Sequence, residues 1–227
     1  MSDWKAFSFL NPTAEHKALR NMVRGFVTKE VEPQVQEFDR KEQFNLPLFH
    51  KLGEQGLLGL LIPAEFGGSG MDLTASVIVH EELSASDPGL CLSYLAHSVL
   101  CAYNIYRNAS PEQKKLWLPP LSEGKWIGAM AMSEADCGTD VRAMKTKAVK
   151  RNGKYILNGR KMWITNGSVD EKKTPCDCCL VYAQTDKGIS AFLVEKTSFG
   201  FSVGQKIKDK LGMRASNTCE LIFENCE

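Results

Sequence analysis

The feature that most constrains the fold is a change of pattern near residue 125. From Trp126 onward the pair Asn-Gly recurs three times, at Asn152-Gly153, Asn158-Gly159 and Asn166-Gly167, between short apolar segments. Two-residue hairpin turns favour this pair because both central positions need a positive φ. Hairpin turns at this density predict an antiparallel meander of strands in the second half of the chain.

Short apolar runs around these turns predict the strands themselves. They are rich in aliphatic and aromatic residues and too short for helices. The predicted strands include Tyr155–Leu157, Met162–Ile164, Cys179–Ala183, Ile189–Val194 and Cys219–Phe223. A further apolar run begins at Trp126 and breaks into a loop of small and polar residues before Asp140.

The first half of the chain instead shows apolar residues at helical spacing. Asn11-Pro12-Thr13 supplies a helix start, and Pro33 ends the helix. The apolar residues on one face of it are Leu19, Met22, Val23, Phe26 and Val27. Their spacing predicts an amphipathic helix. Ser110 begins a capping box for a later helix, which we expect to end at Pro119-Pro120.

Two further helices are predicted between these. The first is capped by Asp72 and runs to about Ser86, and the residues expected to face inward are Leu73, Val77 and Ile78. Glu81 and Glu82 resemble a carboxylate pair, but adjacent helical positions diverge by about 100°. The two carboxylates therefore cannot share one substrate atom, and we expect them on a solvated face.

The second of these helices begins at Pro88 and runs to about Arg107. It is apolar nearly all round, which is typical of a buried helix. His97 lies on it with no acidic or cysteine partner nearby in sequence, so we interpret it as a hydrogen-bonded core histidine rather than a base. The glycine-rich segment Pro63–Met71 lacks the Lys-Ser/Thr of a P-loop and is interpreted as a connector between helices.

Charge and hydropathy disfavour several functions. The 227 residues include 28 basic and 27 acidic side chains, a net charge of +1, and no basic stripe that would indicate nucleic acid or a membrane surface. No apolar run approaches the roughly twenty residues that span a bilayer. The N-terminus lacks the features of a signal or transit peptide. We expect a mitochondrial matrix protein without its presequence if the source is eukaryotic, and a cytoplasmic protein if it is bacterial.

Eight cysteines raise the question of metal binding. The only cluster is Cys176-Asp177-Cys178-Cys179, whose spacing differs from the pair-of-pairs zinc pattern. The four histidines (His16, His50, His80, His97) all lie in the first half of the chain. We therefore expect no metal and reduced thiols, with Cys91 and Cys101 acting as small buried hydrophobes.

The best candidate site combines the loop before Asp140 with the segment Lys161–Gly167. The loop offers the hydroxyls of Ser133 and Thr139, and the later strand offers Trp163 and Thr165, two residues apart and so on one face. An indole with several small hydrogen-bonding groups suits a flat, polar-edged ring such as a flavin. From pattern alone, a buried Trp beside two ordinary loops is the more frequent arrangement.

Four motifs nevertheless favour the flavin site over the buried tryptophan. Met-Ser-Glu followed by Gly-Thr-Asp at residues 132–140, and then Lys161–Gly167, resemble the acyl-CoA dehydrogenase family. Pro63–Gly70 upstream and Leu211–Arg214 downstream resemble it too, in the same order along nearly the whole chain. Two more segments, Leu92–Ser98 and Ser216–Glu224, are most similar to family members acting on isovaleryl-CoA.

The resemblance implies an α+β multidomain protein. An all-α N-terminal domain (residues 1–125) would precede an antiparallel, β-barrel-like middle domain (residues 126–227), and the C-terminal four-helix domain of the family is absent from the chain. The implied reaction is FAD-dependent α,β-dehydrogenation of a short or branched acyl-CoA in leucine catabolism. The implied partners are an electron-transfer flavoprotein and further copies of the chain in a homotetramer.

The resemblance also assigns residues. It implies flavin contacts for two groups, the loop residues Met130, Ala131, Met132, Ser133, Gly138 and Thr139, and the ring wall of Trp163, Ile164 and Thr165. It places Thr139 against the CoA part as well, and Leu92 and Ala96 in the acyl pocket. The chain departs from the family where Thr139 replaces a usual Ser and where Ala135 replaces a common Pro. The loop around Lys187 is also short, which leaves any role of that lysine open.

No carboxylate in the sequence matches the catalytic glutamate of the family, which is expected beyond Glu227. We therefore assign no catalytic residue and expect these 227 residues alone not to turn over acyl-CoA. Three alternatives remain open from the sequence. They are another short- or medium-chain acyl-CoA dehydrogenase, an acyl-CoA oxidase, and a non-catalytic fragment of such an enzyme.

Overall fold

The computed structural model describes residues 11–227, and its first half is helical. The helices are α1 (Ala14–Phe26), α2 (Val35–Lys41), α3 (Leu46–Glu54), α4 (Leu73–Ser84), α5 (Pro88–Leu95), α6 (Asn104–Asn108) and α7 (Pro111–Ser122). π-helical turns at Val27–Val31 and Ala96–Tyr103 extend α1 and α5, and Ala64–Phe66 forms a 3-10 turn. No helix among the described residues is both long and apolar enough to cross a bilayer.

Side-chain caps begin these helices where the sequence predicts. The Thr13 hydroxyl accepts the His16 N–H at 3.2 Å, and an Asp72 carboxylate oxygen accepts the Ala75 N–H at 2.9 Å. The capping box at Ser110 is present in full. Such side chains satisfy backbone donors that have no partner inside the helix.

Helix α7 does not end at Pro119-Pro120 as expected but runs on to Ser122. Two prolines remove two backbone donors, which leaves the carbonyls of Lys115 and Leu116 without helical partners. Both residues are exposed, so water can replace the missing donors. Leu118 and Leu121 are fully buried on the other face, and their packing keeps the segment helical.

The second half forms one curled mixed sheet. Its strands are β1 (Gly128–Ala131), β2 (Lys147–Arg151), β3 (Lys154–Thr165), β4 (Cys178–Thr185), β5 (Gly188–Glu195), β6 (Phe201–Lys206) and β7 (Thr218–Cys226). The strand order is β1-β4-β2-β3-β7-β6, and β5 pairs with the other side of β4. The β1–β4 and β2–β4 pairs are parallel and the others antiparallel, so the sheet is not a pure meander. The predicted two-part α+β architecture is confirmed. Strands β2 and β6 were not predicted.

The three Asn-Gly pairs have three different roles. Asn152-Gly153 forms the predicted hairpin turn between β2 and β3, with φ of 51° and 84°. Asn158-Gly159 lies inside β3 at a β-bulge, so the prediction of a turn there is wrong. A Cβ at Gly159 would lie 2.4 Å from the Thr146 hydroxyl oxygen, so the glycine is needed for close packing. Asn166-Gly167 ends β3 without forming a two-residue hairpin.

Helix α4 presents a different face to the core than expected. Ile78 is buried as predicted, but Leu73 and Val77 are 60% and 56% exposed. Glu82, expected in solvent, is buried against α1, where it accepts hydrogen bonds from Arg20 (2.7 Å) and Arg24 (3.1 Å). The expectation failed because an arginine pair on a distant helix, invisible to local periodicity, supplies the positive charge that a buried carboxylate needs.

Buried polar side chains join the two halves. His97 Nδ1 accepts the Gly128 N–H of β1 at 2.9 Å, and Nε2–H donates to the Leu121 carbonyl at 3.0 Å. Burial lowers the pKa of His97 to about 4, so it is neutral at physiological pH. Asn166 Nδ2 donates to the Ser93 carbonyl of α5 at 2.8 Å. The prediction of a hydrogen-bonded core histidine is confirmed.

The eight cysteines are free, and each is buried. Burial raises the pKa of several of these thiols, to about 11 for Cys91 and about 12 for Cys219. High pKa and low exposure make a thiol unreactive. In the described part of the chain, no group of three or more His, Cys, Asp or Glu side chains is arranged to hold a metal ion.

Candidate functional site

The two motif-bearing segments meet at the end of β1. The Ser133 carbonyl, just beyond β1, accepts the Met162 N–H of β3 at 2.9 Å. The Met132 carbonyl accepts a hydrogen bond from Lys161 Nζ, also at 2.9 Å. Residues 132–133 therefore lie directly beside the stretch of β3 that carries Trp163. The structure brings these predicted residues together.

Lys161 and Glu134 complete this junction, and the sequence prediction did not single them out. The Lys161 side chain is fully buried, and its Nζ lies 2.9 Å from Glu134 Oε1. The Glu134 carboxylate also accepts the N–H groups of Lys145 (2.6 Å) and Thr146 (3.0 Å). The sequence does contain one signal of this pair, because each of the motifs Met-Ser-Glu and Lys-Met-Trp includes one charged residue and the two charges are opposite.

The ionisation of this pair follows from its surroundings. Burial alone would raise the pKa of Glu134, but hydrogen bonds from Thr146, Lys145 and Lys161 outweigh it and lower the pKa to about 2. Burial lowers the pKa of Lys161, while Glu134 opposes that shift. The carboxylate is therefore charged at physiological pH and compensates the buried ammonium.

Beyond Glu134 the chain makes a tight turn and then opens to solvent. Glu134 and Cys137 exchange two backbone hydrogen bonds, of 2.9 and 3.2 Å. Gly138 and Thr139 follow, and both are exposed. A Cβ added at Gly138 would meet no heavy atom within 4 Å. The loop therefore leaves free volume beside its backbone, as close approach of a ligand would require.

Trp163 is 53% exposed, so the alternative of a buried tryptophan, which pattern alone favoured, is wrong. Its φ is 59°, which is unusual for a bulky residue, and it lies in a β-bulge between Lys161 and Ile164. Ile164 is buried in the core and can offer a ligand only its backbone, while Thr165 is half-buried. A strained backbone that carries a large aromatic ring into solvent is typical of a functional site.

These features fit a flat, polar-edged ring. The exposed indole supplies a stacking surface, and the half-buried Ser133 and exposed Thr139 supply hydroxyls. Open space at Gly138 admits a ligand to the loop backbone. Met130 is half-buried, whereas Ala131 is fully buried in β1. Ala131 therefore supports the loop from below and presents no side chain to the surface.

The predicted acyl-pocket residues lie on the α5 helix and its π-helical extension, next to Ser93 and His97, which bond to Asn166 and Gly128. Leu92 is half-buried and Ala96 is 3% exposed. A groove of about 540 Å³ lies between this helix and α4. It is lined by Leu73, Ser76, Val77, His80, Glu81, Ser84, Leu95 and Val99. The groove is thus lined by Leu95 and Val99, each three residues beyond a predicted position, and not by Leu92 or Ala96.

Comparison with known proteins gives one consistent result. Residues 13–125 match the acyl-CoA dehydrogenase N-terminal domain, and residues 129–226 match the acyl-CoA dehydrogenase middle domain. The mitochondrial isovaleryl-CoA dehydrogenase of Pongo abelii is 47% identical over 222 residues, which cover 94% of this chain and 51% of the relative. The chain therefore spans about half the length of the curated relatives it matches.

Solved structures agree with this match. A chain solved in work on the electron transferring flavoprotein of Acidaminococcus fermentans has a TM-score of 0.89 and 40% identity, over 95% of this chain and 56% of that chain. A glutaryl-CoA dehydrogenase from Mycobacterium smegmatis in complex with FADH2 has a TM-score of 0.88 and 34% identity, over 94% of this chain and 53% of that chain. With both domain matches in register along the sequence, the chain belongs to the acyl-CoA dehydrogenase family of oxidoreductases.

Proposed function

We propose that this chain contributes the N-terminal α-helical domain (residues 1–125) and the middle β domain (residues 126–227) of an FAD-dependent acyl-CoA dehydrogenase. The single observation that carries the proposal is the junction of loop 132–139 with the bulge at Trp163. There the backbone of Met132 and Ser133 lies beside Lys161 and Met162, next to the exposed indole of Trp163. The same loop continues to Gly138, which has free volume beside it, and to the exposed Thr139. A family relative whose structure contains FADH2 supports the cofactor assignment.

The residues proposed to hold FAD act by binding and orientation. Trp163 offers a face for ring stacking, with Thr165 and the Ile164 backbone beside it. Met130 near the end of β1 and the loop residues Met132, Ser133, Gly138 and Thr139 are proposed to offer backbone groups and hydroxyls, with Thr139 also facing the CoA part. When bound, FAD supplies a two-electron acceptor for the β-hydrogen of the acyl group. The base that removes the α-proton is proposed to lie beyond Glu227.

The favoured substrate is isovaleryl-CoA, as an intermediate of leucine catabolism. This rests on the 47% identity with a mitochondrial isovaleryl-CoA dehydrogenase and on Leu92 with Ala96, one helical turn apart. A small alanine beside a leucine leaves room for a branched chain, which favours it by about 1–3 kcal/mol per methyl-sized group. The second candidate is another short- or medium-chain acyl-CoA dehydrogenase or an acyl-CoA oxidase.

The proposed partner is an electron-transfer flavoprotein, and the proposed assembly at full length is a homotetramer. The structural neighbour from work on such a flavoprotein supports the first of these. A mitochondrial location if the source is eukaryotic is supported by the Pongo abelii relative. Anaerobic reduction by substrate followed by timed exposure to air separates the enzyme classes, because slow reoxidation favours a dehydrogenase and fast reoxidation an oxidase.

FAD titration of the purified chain tests the cofactor site. We expect saturable binding with quenching of flavin and tryptophan fluorescence. Gly138→Val should weaken this binding because its side chain fills the open volume, yet leave the unfolding free energy of the apo chain within about 0.5 kcal/mol. Gly212→Val is the matched control, since a Cβ at Gly212 also meets nothing within 4 Å. A chain that stays colourless, or equal FAD affinities for both variants, contradicts the proposed site.

Substrate preference requires the protein at the full length of its relatives. We expect kcat/KM to be highest for isovaleryl-CoA when it is compared with butyryl-CoA and octanoyl-CoA. Substituting Ala96 by Leu should reduce the rate with isovaleryl-CoA more than the rate with butyryl-CoA, because the branch needs the extra space. A higher rate with octanoyl-CoA than with isovaleryl-CoA would refute the assignment of substrate while leaving the family intact.

A further inference from the structure

Lys161 and Met162 tie three consecutive loop residues to β3. Lys161 Nζ donates to the Met132 carbonyl and to Glu134 Oε1, each at 2.9 Å. The Met162 N–H donates to the Ser133 carbonyl at 2.9 Å. The next residue along β3 is Trp163. The backbone at 132–134 is thus held in one position relative to the indole.

Burying the charged pair costs free energy, so a gain in stability does not explain why the pair is buried. Lys161 is fully buried and Glu134 is 6% exposed. Removing two charges from water costs about as much free energy as their attraction returns, and apolar residues of similar volume are often equally stable. Hydrogen bonds differ from apolar packing in being directional, so the pair can fix where a particular carbonyl lies.

The other hydrogen bonds of Glu134 support a positioning role. Glu134 is itself held by the N–H groups of Lys145 and Thr146, which immediately precede β2. The ammonium therefore pairs with a carboxylate that is itself hydrogen-bonded to the backbone just before β2. A side chain that only filled space would not need three hydrogen bonds to one carboxylate beneath a solvent-facing loop.

We propose that Lys161 and Glu134 are positioning residues for the cofactor loop. Through hydrogen bonds to the backbone at Met132 and the side chain of Glu134, the pair holds residues 132–134 in the orientation in which they can contact FAD beside Trp163. Neither side chain touches the cofactor. This inference rests on the proposed function and adds to it the two residues on which the shape of the site depends.

The test compares one single variant with two charge-neutral double variants. Lys161→Met leaves the Glu134 carboxylate buried without its cation and should lower the unfolding midpoint in urea strongly. Lys161→Met with Glu134→Gln removes both charges, and should recover most of that stability. The matched control is Arg160→Met with Glu220→Gln, which removes a partly exposed ion pair of 3.2 Å from the adjacent position of β3.

Two measurements then separate positioning from structural support. In the apo chain, hydrogen exchange at the amides of Met162, Glu134 and Cys137 reports directly on the loop. We expect faster exchange in the Lys161→Met/Glu134→Gln variant than in the control. We also expect FAD to bind about tenfold more weakly, corresponding to ~1.4 kcal/mol, with an altered flavin absorption band shape. Lys161→Arg should restore part of both signals.

The inference is overturned if the neutral double variant regains stability together with wild-type exchange and wild-type FAD affinity. In that case each charge of the pair only neutralises the other and does not position the loop. If the unaltered chain binds no FAD, the proposed function fails instead. The amide exchange rates alone then decide whether the pair positions the loop.

Discussion

Trp163 combines two features that oppose the stability of the free chain. Its φ of 59° costs an L-residue roughly 1–2 kcal/mol, and its indole remains 53% exposed. Little is gained in packing to offset that strain. The arrangement is explained if the ring is held out for a ligand, since strained residues cluster where geometry is needed for function.

This strain predicts an unusual order of stabilities. Trp163→Gly should be more stable than Trp163→Ala by about 1 kcal/mol, because glycine adopts a positive φ without a Cβ penalty. Urea unfolding of the two variants measures the difference. Met162 is the matched control, because its φ is not positive. There the alanine variant should be the more stable of the two, and the same order at both positions would contradict the bulge geometry.

His97 predicts how stability depends on pH. Its pKa is about 4 in the folded chain and about 6.5 in an unfolded chain. The depressed folded pKa means that His97 contributes fully above about pH 6.5, and that this contribution is lost as pH falls toward 4. The full loss amounts to about 3 kcal/mol.

Unfolding free energies measured at several pH values between about 7 and 4 check this prediction. His97→Gln keeps a donor for the Leu121 carbonyl but does not titrate, so its stability should fall less steeply than that of the wild type over this range. Asp177 is the acidic group that acts on His97, and it opposes the shift caused by burial. Equal slopes for the two proteins would show that His97 does not titrate as described.

Among the elements, helix α4 shows how a distant partner decides which face is buried. Glu82 lies under α1 against Arg20 and Arg24, while the neighbouring Glu81 is 23% exposed at its side chain and meets Arg20 at 2.8 Å. The helix therefore turns a carboxylate inward and leaves Leu73 and Val77 toward solvent. Its exposed apolar side forms one wall of the groove beside the α5 helix.

Adjacent carboxylates on α4 should consequently differ in their effect on stability. Glu82→Ala removes the charge that compensates a buried arginine and should cost about 3–5 kcal/mol. Glu81→Ala removes a partly exposed ion pair and should cost less than about 1 kcal/mol. Urea unfolding of both variants gives the comparison. If the two costs were similar, the buried pair would not be what holds α4 against α1.

At the scale of the whole molecule, the helical and sheet halves share one core. Buried residues of α1, including Val23, belong to the same apolar cluster as Ala129 of β1, Val181 of β4 and Phe223 of β7. His97 and Asn166 add buried hydrogen bonds across the junction. Separating the halves would therefore expose apolar side chains of both to water, which costs free energy.

The shared core predicts that both halves unfold together. Helix content followed by far-UV circular dichroism and tertiary packing followed by tryptophan fluorescence should give coincident urea transitions. Asn166→Ala should shift both transitions to lower urea, because it removes a buried bond between the halves. Two separated transitions in the wild-type chain would show that the halves are independent folding units.

Residues close together in the sequence predict the order of helical and sheet halves, the helix starts at Thr13, Asp72 and Ser110, and the segments proposed to form the site. Local spacing and capping chemistry suffice for these, because they depend on residues a few positions apart. The family motifs also predict a flavin site, and hydrogen bonds hold the predicted residues Met132 and Ser133 beside Lys161 and Met162, next to Trp163.

Contacts between distant parts of the fold instead set three features: the buried face of α4, the bulge at Asn158-Gly159, and the pairing of Lys161 with Glu134. Each depends on a partner distant in sequence: Arg20 for Glu82, Thr146 for Gly159, and the end of β1 for Lys161. Strand register and helix packing bring these groups together. A local pattern therefore does not show which partner each of these residues meets, because that partner lies far away in the sequence.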